Sequence, residues 1–473
     1  MLTARGTGRT RGERPLRALF LFGLLTAVAL LAVACGSPKP SSSSTSTAAT
    51  ASTKPTAVTL PDTPVGIQAG WLVAATAHLP ISATDVRAHF DATFLGKVSP
   101  ATLNQVLKGT PKVAVVSIEA SQADSLVTIV SAGGTQLQVT LDVDAQGLIS
   151  GLLIAPAPLP APTTWEGVDA ALRSVAPEVH LLVANVTNGS LQPVHSIDPA
   201  TAAPLGSMFK LYVLDALGDA VASGKVTWNQ PLTITAQLKS LPSGELQTKP
   251  DGTQISVQDV ATKMISISDN TAADMLIDLV GRPAVEAALT ATGMADPSRS
   301  RPFLTTREMF GLKLDQWPTL AKQYIAADAA ARRNLLASSV DPAPLPDLAQ
   351  AEAWTTPRDI DSIEWFASAN DISRVYASLV ALARQPGLSP IAQVLSLNDG
   401  GLRLEPAEWK TTWFKGGSEP GVLTLAYLAT TQAGQSYVVV ALAENPSKPI
   451  DEATAAPAML AVIKGAFTLA AGS

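Results

Sequence analysis

Cysteine occurs once in these 473 residues, as Cys35, so no disulfide can form within the chain. Histidine occurs only as His78, His89, His180 and His195, which are scattered rather than set at metal-ligand spacing. Charge is also scarce. Asp, Glu, Lys and Arg make up 15% of the chain, with 33 basic against 39 acidic residues and a net charge of −6. No basic stripe is present to neutralise phosphates, which excludes nucleic acid as a partner. Stability must therefore come from packing, and the 47% hydrophobic content supplies the apolar mass for it. The length exceeds one ordinary core, so two domains plus unstructured segments are expected.

What is present begins with a targeting pattern. Arg5, Arg9, Arg11, Arg14 and Arg17 form a positive segment, and residues 18–34 are an apolar run ending in small side chains. The run is short and Ala-rich for a transmembrane helix. Cys35 directly follows Leu31-Ala32-Val33-Ala34, which resembles a bacterial lipobox with Ala32 where that motif usually carries Leu. The resemblance implies a signal peptide over residues 1–35, lipidation of Cys35, and an extracytoplasmic chain held on the outer face of the cell membrane. Residues 36–62 are dominated by Ser, Thr, Pro and Ala, which cannot bury enough surface to offset ordering entropy, and read as a disordered tether. A second punctuation, with Pro156, Pro158, Pro160 and Pro162, reads as a stiff linker over 156–164 and a domain boundary.

Residues 63–155, between these linkers, carry helical patterning around 70–77 and 82–91, with Ser82 or Thr84 as the cap. Four alternating, β-branched stretches follow near 113–118, 126–130, 137–143 and 148–154, with Gly133-Gly134 and Asp144 to Gly147 at the turns. Helices followed by such a meander resemble the cone-shaped NTF2/steroid-isomerase-like α+β fold. His89 and Asp91 are the polar candidates inside it, and a surface or capping role fits them better than catalysis.

Three short motifs lie beyond residue 165. Ser207-Met208-Phe209-Lys210 precedes an apolar helical run, so that Ser207 and Lys210 share one face and a lysine of lowered pKa can take the serine proton. Ser268-Asp269-Asn270 opens a second helix, with a hydroxyl able to relay a proton and an amide able to orient a carbonyl. Lys415-Gly416-Gly417-Ser418 stands between strand-like segments, where glycines let a substrate lie along a strand edge. Lys415 offers charge to Ser268 and to a substrate carboxylate. The N–H groups of Ser207 and Ser418 can form an oxyanion hole.

In order and context these motifs resemble those of class A β-lactamases and penicillin-binding transpeptidases. The resemblance covers residues 165–473 and implies an α/β domain in which an antiparallel sheet meets an all-helical half. It assigns catalysis to Ser207, Lys210, Ser268 and Lys415 and substrate binding to Asn270, Gly417 and Ser418, with no metal or cofactor. Together with the lipobox and the first domain, the chain is similar to a β-lactamase-like subfamily known from mycobacterial lipoproteins and a clavulanic-acid-cluster protein, for which esterase behaviour is implied. Residues 302–310, Pro302-Phe303-Leu304-Thr305-Thr306-Arg307-Glu308-Met309-Phe310, look like a stretch that group carries.

Two departures stand out. Gly416 occupies the middle position where Thr or Ser is usual, and the span from Ser268 to Lys415 is longer than class A enzymes have. The surplus falls near 300–354, where their Ω-loop supplies a Glu for deacylation. No such motif stands there. Glu308 is the nearest carboxylate and reads as a first-turn or Arg-paired residue. Three functions are carried forward: a β-lactamase-type hydrolase, a penicillin-binding-type peptidase or esterase, and a non-catalytic lipoprotein binding envelope ligands. A monomer acting on a small-molecule or cell-wall substrate is expected.

Overall fold

The computed structural model describes residues 58–472 except 109, 111, 188 and 316, so the targeting pattern, Cys35 and most of the tether lie outside the described residues. The chain divides into two compact units between Ala157 and Pro158.

The first unit opens with four helices, α1 (Pro64–Ala75), α2 (Ala83–His89), α3 (Ala92–Lys97) and α4 (Pro100–Leu107). Each is started by a side-chain oxygen accepting an otherwise orphaned N–H: Thr63, Ser82, Asp91 and Ser99. Asp91 is thus a cap, while His89 stacks on Trp71 at 3.7 Å and meets Gln68 through Nδ1. Four strands follow, β1 (Ala114–Ser121), β2 (Ser125–Ala132), β3 (Thr135–Val143) and β4 (Ile149–Pro156), as an antiparallel meander in chain order. Gly133 and Gly134 take φ of 59° and 92°, the left-handed region this hairpin turn needs. Leu126, Leu141 and Ile149 from the sheet pack on Val65, Leu72, Phe90 and Leu107 from the helices. The unit is α+β. Its last strand runs further than the proline pattern predicts: Ala155 and Pro156 still pair with Gln138 and Leu137. β4 is an edge strand, where a residue without an N–H is tolerated.

The second unit begins with α5 (Trp165–Arg173), β5 (Glu178–Thr187), β6 (Ser190–Ile197) and the two-residue β7 (Ala203–Pro204). A 3₁₀ turn, Gly206–Phe209, then feeds α6 (Lys210–Ala222). After a small β8 (Pro231–Thr233) and β9 (Gln254–Ser256) pair come α7 (Val257–Ser266), α8 (Asn270–Val280) and α9 (Arg282–Ala291). The surplus region is helical: α10 (Thr306–Phe310), a π-helical turn Gly311–Asp315, α11 (Thr319–Ala326), α12 (Ala329–Leu335) and α13 (Leu348–Glu352). β10 (Phe366–Ala367), α14 (Ala369–Ala383) and α15 (Pro390–Leu395) precede β11 (Trp409–Glu419), β12 (Val422–Thr431), β13 (Ser436–Glu444) and α16 (Glu452–Ala471).

Five of these strands make one antiparallel sheet in the order β11-β12-β13-β5-β6. Its central strands are apolar on both faces, and their period of two sorts the side chains into separate cores. Val438, Val440, Leu442, Leu182 and Ala184 join the helical half, which includes residues of α6, α8 and α14. Val439, Ala441, Leu181 and Val183 pack on α5 and α16 through Val168, Leu172, Val462 and Phe467. Each Val, Leu or Phe among them contributes roughly 1.5–3 kcal/mol on burial. On the edge strand β11 the same alternation puts Trp413, Lys415, Gly417 and Glu419 towards the helical half.

Candidate active site

Ser207 sits in the 3₁₀ turn rather than within an α-helix, and Lys210 is the first residue of α6. In a 3₁₀ turn residues three apart eclipse, and Lys210 Nζ lies 3.0 Å from Ser207 Oγ. The turn is pinned at its entry by β7 pairing with β10 and by Leu205 N–H donating to Trp365 O at 2.9 Å.

Ser268 comes from the loop joining α7 to α8, and Asn270 is the first residue of α8. Lys210 Nζ is 2.5 Å from Ser268 O, 3.1 Å from Ser268 Oγ and 2.6 Å from Asn270 Oδ1. The Asn270 amide donates to Leu241 O at 3.0 Å, so Asn270 is first of all a partner of Lys210. Ser268 holds φ of 56°, a strained conformation for a residue with a side chain. Asp269 supports that strain. Its fully buried carboxylate caps α8 through Ala272 N–H and accepts from Glu245 and Leu246 N–H at 2.7 and 2.9 Å. Gly244 is pressed against that carboxylate, where an added Cβ would stand 2.2 Å from its carbon.

Lys415 reaches the same point from the sheet, donating to Ser268 Oγ at 3.1 Å and to Gly416 O. Ser268 Oγ therefore lies between two amines. Both are buried. Desolvation lowers Lys210 to about 7 despite the opposing pull of Asp269 and Asp274. Burial, then the neighbouring Lys210, push Lys415 well below its ordinary value. Neutral Lys210 has two N–H groups and a lone pair. The carbonyl oxygens of Ser268 and Asn270 can only accept, so they take the two hydrogens. The lone pair is left for the hydroxyl of Ser207. The electrostatics thus disfavour a standing positive charge on Lys415, which the sequence alone assigned to it.

Gly417 and Ser418 meet the 3₁₀ turn that carries Ser207 backbone to backbone. A Cβ on Gly417 would lie 2.2 Å from Leu205 O and 2.5 Å from Ser207 N, and one on Gly206 would lie 2.8 Å from Ser418 N. Thr424 on β12 ties the two segments, donating to Leu205 O at 2.8 Å and Gly417 O at 3.1 Å. The backbone nitrogens of Ser207 and Ser418 both border this seam. The middle residue Gly416 is confined as well: a Cβ would meet the Phe414 ring at 3.0 Å and Thr424 O at 3.1 Å.

Glu308 is elsewhere. It closes a capping box with Thr305 at the start of α10 and pairs with Arg282 Nη2 at 2.5 Å. Among the described residues no carboxylate hydrogen-bonds Ser207 or Lys210. The residue types of Gly206, Asp269 and Gly244 carry no motif signal beyond the neighbouring serines, and sequence reasoning gave them no part in the site. The only hint was positional: a glycine directly before Ser207 and an acid between Ser268 and Asn270.

Residues 165–463 match the profile of the Beta-lactamase enzyme family, and residues 60–149 match that of the ORF 12 gene product N-terminal region. Among solved structures the chain is similar to a beta-lactamase from Sphaerobacter thermophilus DSM 20745, at 22% identity over 65% of this chain and 98% of that one, with a TM-score of 0.46. A beta-lactamase from Chitinophaga pinensis DSM 2588 is 17% identical over 65% and 98% of the two chains, with a TM-score of 0.46. PBP-A is 18% identical over 66% and 100%, with a TM-score of 0.42. No curated protein matches the chain.

Proposed function

The chain belongs to the beta-lactamase enzyme family, and from that premise we propose that it is a serine acyl-enzyme hydrolase acting on β-lactams or related amides and esters at the cell envelope. Ser207 Oγ attacks the acyl carbon while Lys210 Nζ accepts its proton. The negative oxygen that forms is held by the N–H groups of Ser207 and Ser418. The C–N or C–O bond then breaks, and Ser268 Oγ, relayed by Lys210 and Lys415, returns a proton to the leaving atom. Water attacks the acyl-enzyme and regenerates Ser207. Asn270 fixes Lys210 and keeps one amide hydrogen for the acyl group, and Gly417 gives the substrate room along β11.

The observation that carries this reading is the 3.0 Å approach of a buried lysine of pKa about 7 to Ser207 Oγ. A general base works best with a pKa near the operating pH. Covalent labelling by a fluorescent penicillin is expected in the wild type and absent in Ser207→Ala. Failure of the wild type to react with any of several acyl donors would leave only a non-catalytic, ligand-binding role.

One observation favours a second reading on the same scaffold. Glu308 is held by Arg282, and among the described residues no carboxylate hydrogen-bonds Ser207 or Lys210, which suits a penicillin-binding-type peptidase or an esterase. Turnover of nitrocefin against a p-nitrophenyl ester ranks the two. The proposal extends to the rest of the chain: Cys35 is lipidated and anchors a monomer outside the membrane, and residues 63–155 form an NTF2-like docking domain. The helix-then-meander order supports the latter. Loss of radiolabelled palmitate incorporation in Cys35→Ser tests the anchor.

A further inference from the structure

Lys313, Glu364 and Glu419 come from three distant stretches, belong to no motif, and meet in the interior next to the turn that carries Ser207. Lys313 Nζ donates to Glu419 Oε1 at 2.5 Å, with the lysine wholly buried and 5.5 Å from the centre of the Trp354 ring. Glu364 Oε2 accepts from Gly206 N–H at 3.2 Å and from Trp365 N–H at 2.8 Å. The remaining oxygens, Glu364 Oε1 and Glu419 Oε2, are buried without a hydrogen-bond partner among the described residues, and the two carboxyl groups stand close enough to act directly on each other. Two ionised carboxylates offer only lone pairs, so a hydrogen bond between them requires a proton on one. With that proton the cluster is one anion against one ammonium. Without it, two anions share one cation away from water, which is costly.

We propose that the proton shared by Glu364 and Glu419 is a positioning device for acyl transfer, holding Gly206 and the end of β11, and through them the Ser207 and Ser418 N–H groups, at the spacing an oxyanion requires. The inference rests on the serine acyl-transfer reading above. Neither glutamate touches a reacting atom, so both are positioning residues. The charged groups facing Glu364 are Glu419 from β11 and Lys313 from the π-helical turn, while the nucleophile turn and Trp365 present backbone N–H groups. Burial, reinforced by Glu419 and opposed by Lys313, raises Glu364 to about 8. Above that pH the pair repels and the nucleophile turn loses its brace.

The test is the pH dependence of fluorescent-penicillin labelling, measured on the full chain as wild type, Glu364→Gln and Glu419→Gln. Either amide donates to the partner carboxylate and keeps the geometry, but has no proton to lose in this range. In the wild type the labelling rate is expected to fall about tenfold per pH unit above about 8, and in both variants this alkaline limb disappears. An infrared C=O band of a buried neutral carboxylic acid, present in the wild type at neutral pH and lost in Glu364→Gln, is the second readout. An alkaline limb unchanged in both variants, or no such band in the wild type, overturns the shared proton alone. No labelling of the wild type at any pH overturns the acyl-transfer reading and takes this proposal with it.

Discussion

Lys210 illustrates how one side chain sets a pH profile. Its folded-state pKa of about 7 lies below the ordinary 10.5 because burial removes solvation from the ammonium. In the proposed mechanism acylation needs the neutral amine, so the labelling rate is expected to rise with pH through about 7. Lys210→Met should remove this acid limb and lower the rate by about 10²–10⁴. The sign for stability follows from proton counting. Between about 7 and 10.5 the unfolded chain holds a proton that the folded chain does not, so this group makes stability rise with pH across that window. Urea titrations at several pH values, wild type against Lys210→Met, check it. Gly417→Ala is a steric counterpart: its Cβ would invade Ser207 N, and a loss of about 10²–10³ in labelling is expected, with the far-ultraviolet circular dichroism unchanged. The four hydroxyl and amine groups were legible because Ser, Lys and Gly recur at spacings tied to a helix turn or a strand edge. Glu364 and Glu419 were not, since nothing local distinguishes a buried acid from an exposed one.

The same contrast holds for whole elements. β5, β12 and β13 could be read from apolar runs rich in β-branched residues, and α8 from its opening cluster. β7 and β10, two residues each, could not, although their pairing pins the turn that carries Ser207. Nor could the helical order of residues 306–352, which breaks into short pieces with π-helical turns. α10 is locked onto α8, where the Asp274 carboxylate accepts from Thr306 and Arg307 N–H at 2.7 and 2.9 Å. Glu308 belongs to this lock. Arg282→Met leaves Glu308 buried and unpaired, and a destabilisation of about 3 kcal/mol is expected from chemical denaturation. The lifetime of the penicillin adduct should stay within about twofold of wild type, because the ion pair is not at Ser207. A large change in that lifetime would restore Glu308 to the deacylation step.

At the scale of the molecule, the cluster around Val65, Phe90 and Leu126 is separate from the two cores flanking the five-stranded sheet. A chain beginning at Pro158 is accordingly expected to unfold cooperatively and to label with penicillin at a rate within about threefold of the full chain. Calorimetry and labelling of that shortened protein check it. The contacts divide the chain between Ala157 and Pro158, and composition could not foresee that β4 recruits Ala155 and Pro156 into the sheet. The seam where Gly206 of the 3₁₀ turn and Gly417 of β11 bring their backbones together has one last implication. No residue type is smaller than those already there, so mutation can close that gap but never widen it. Any loosening of that contact must therefore come from a shift of the backbone itself.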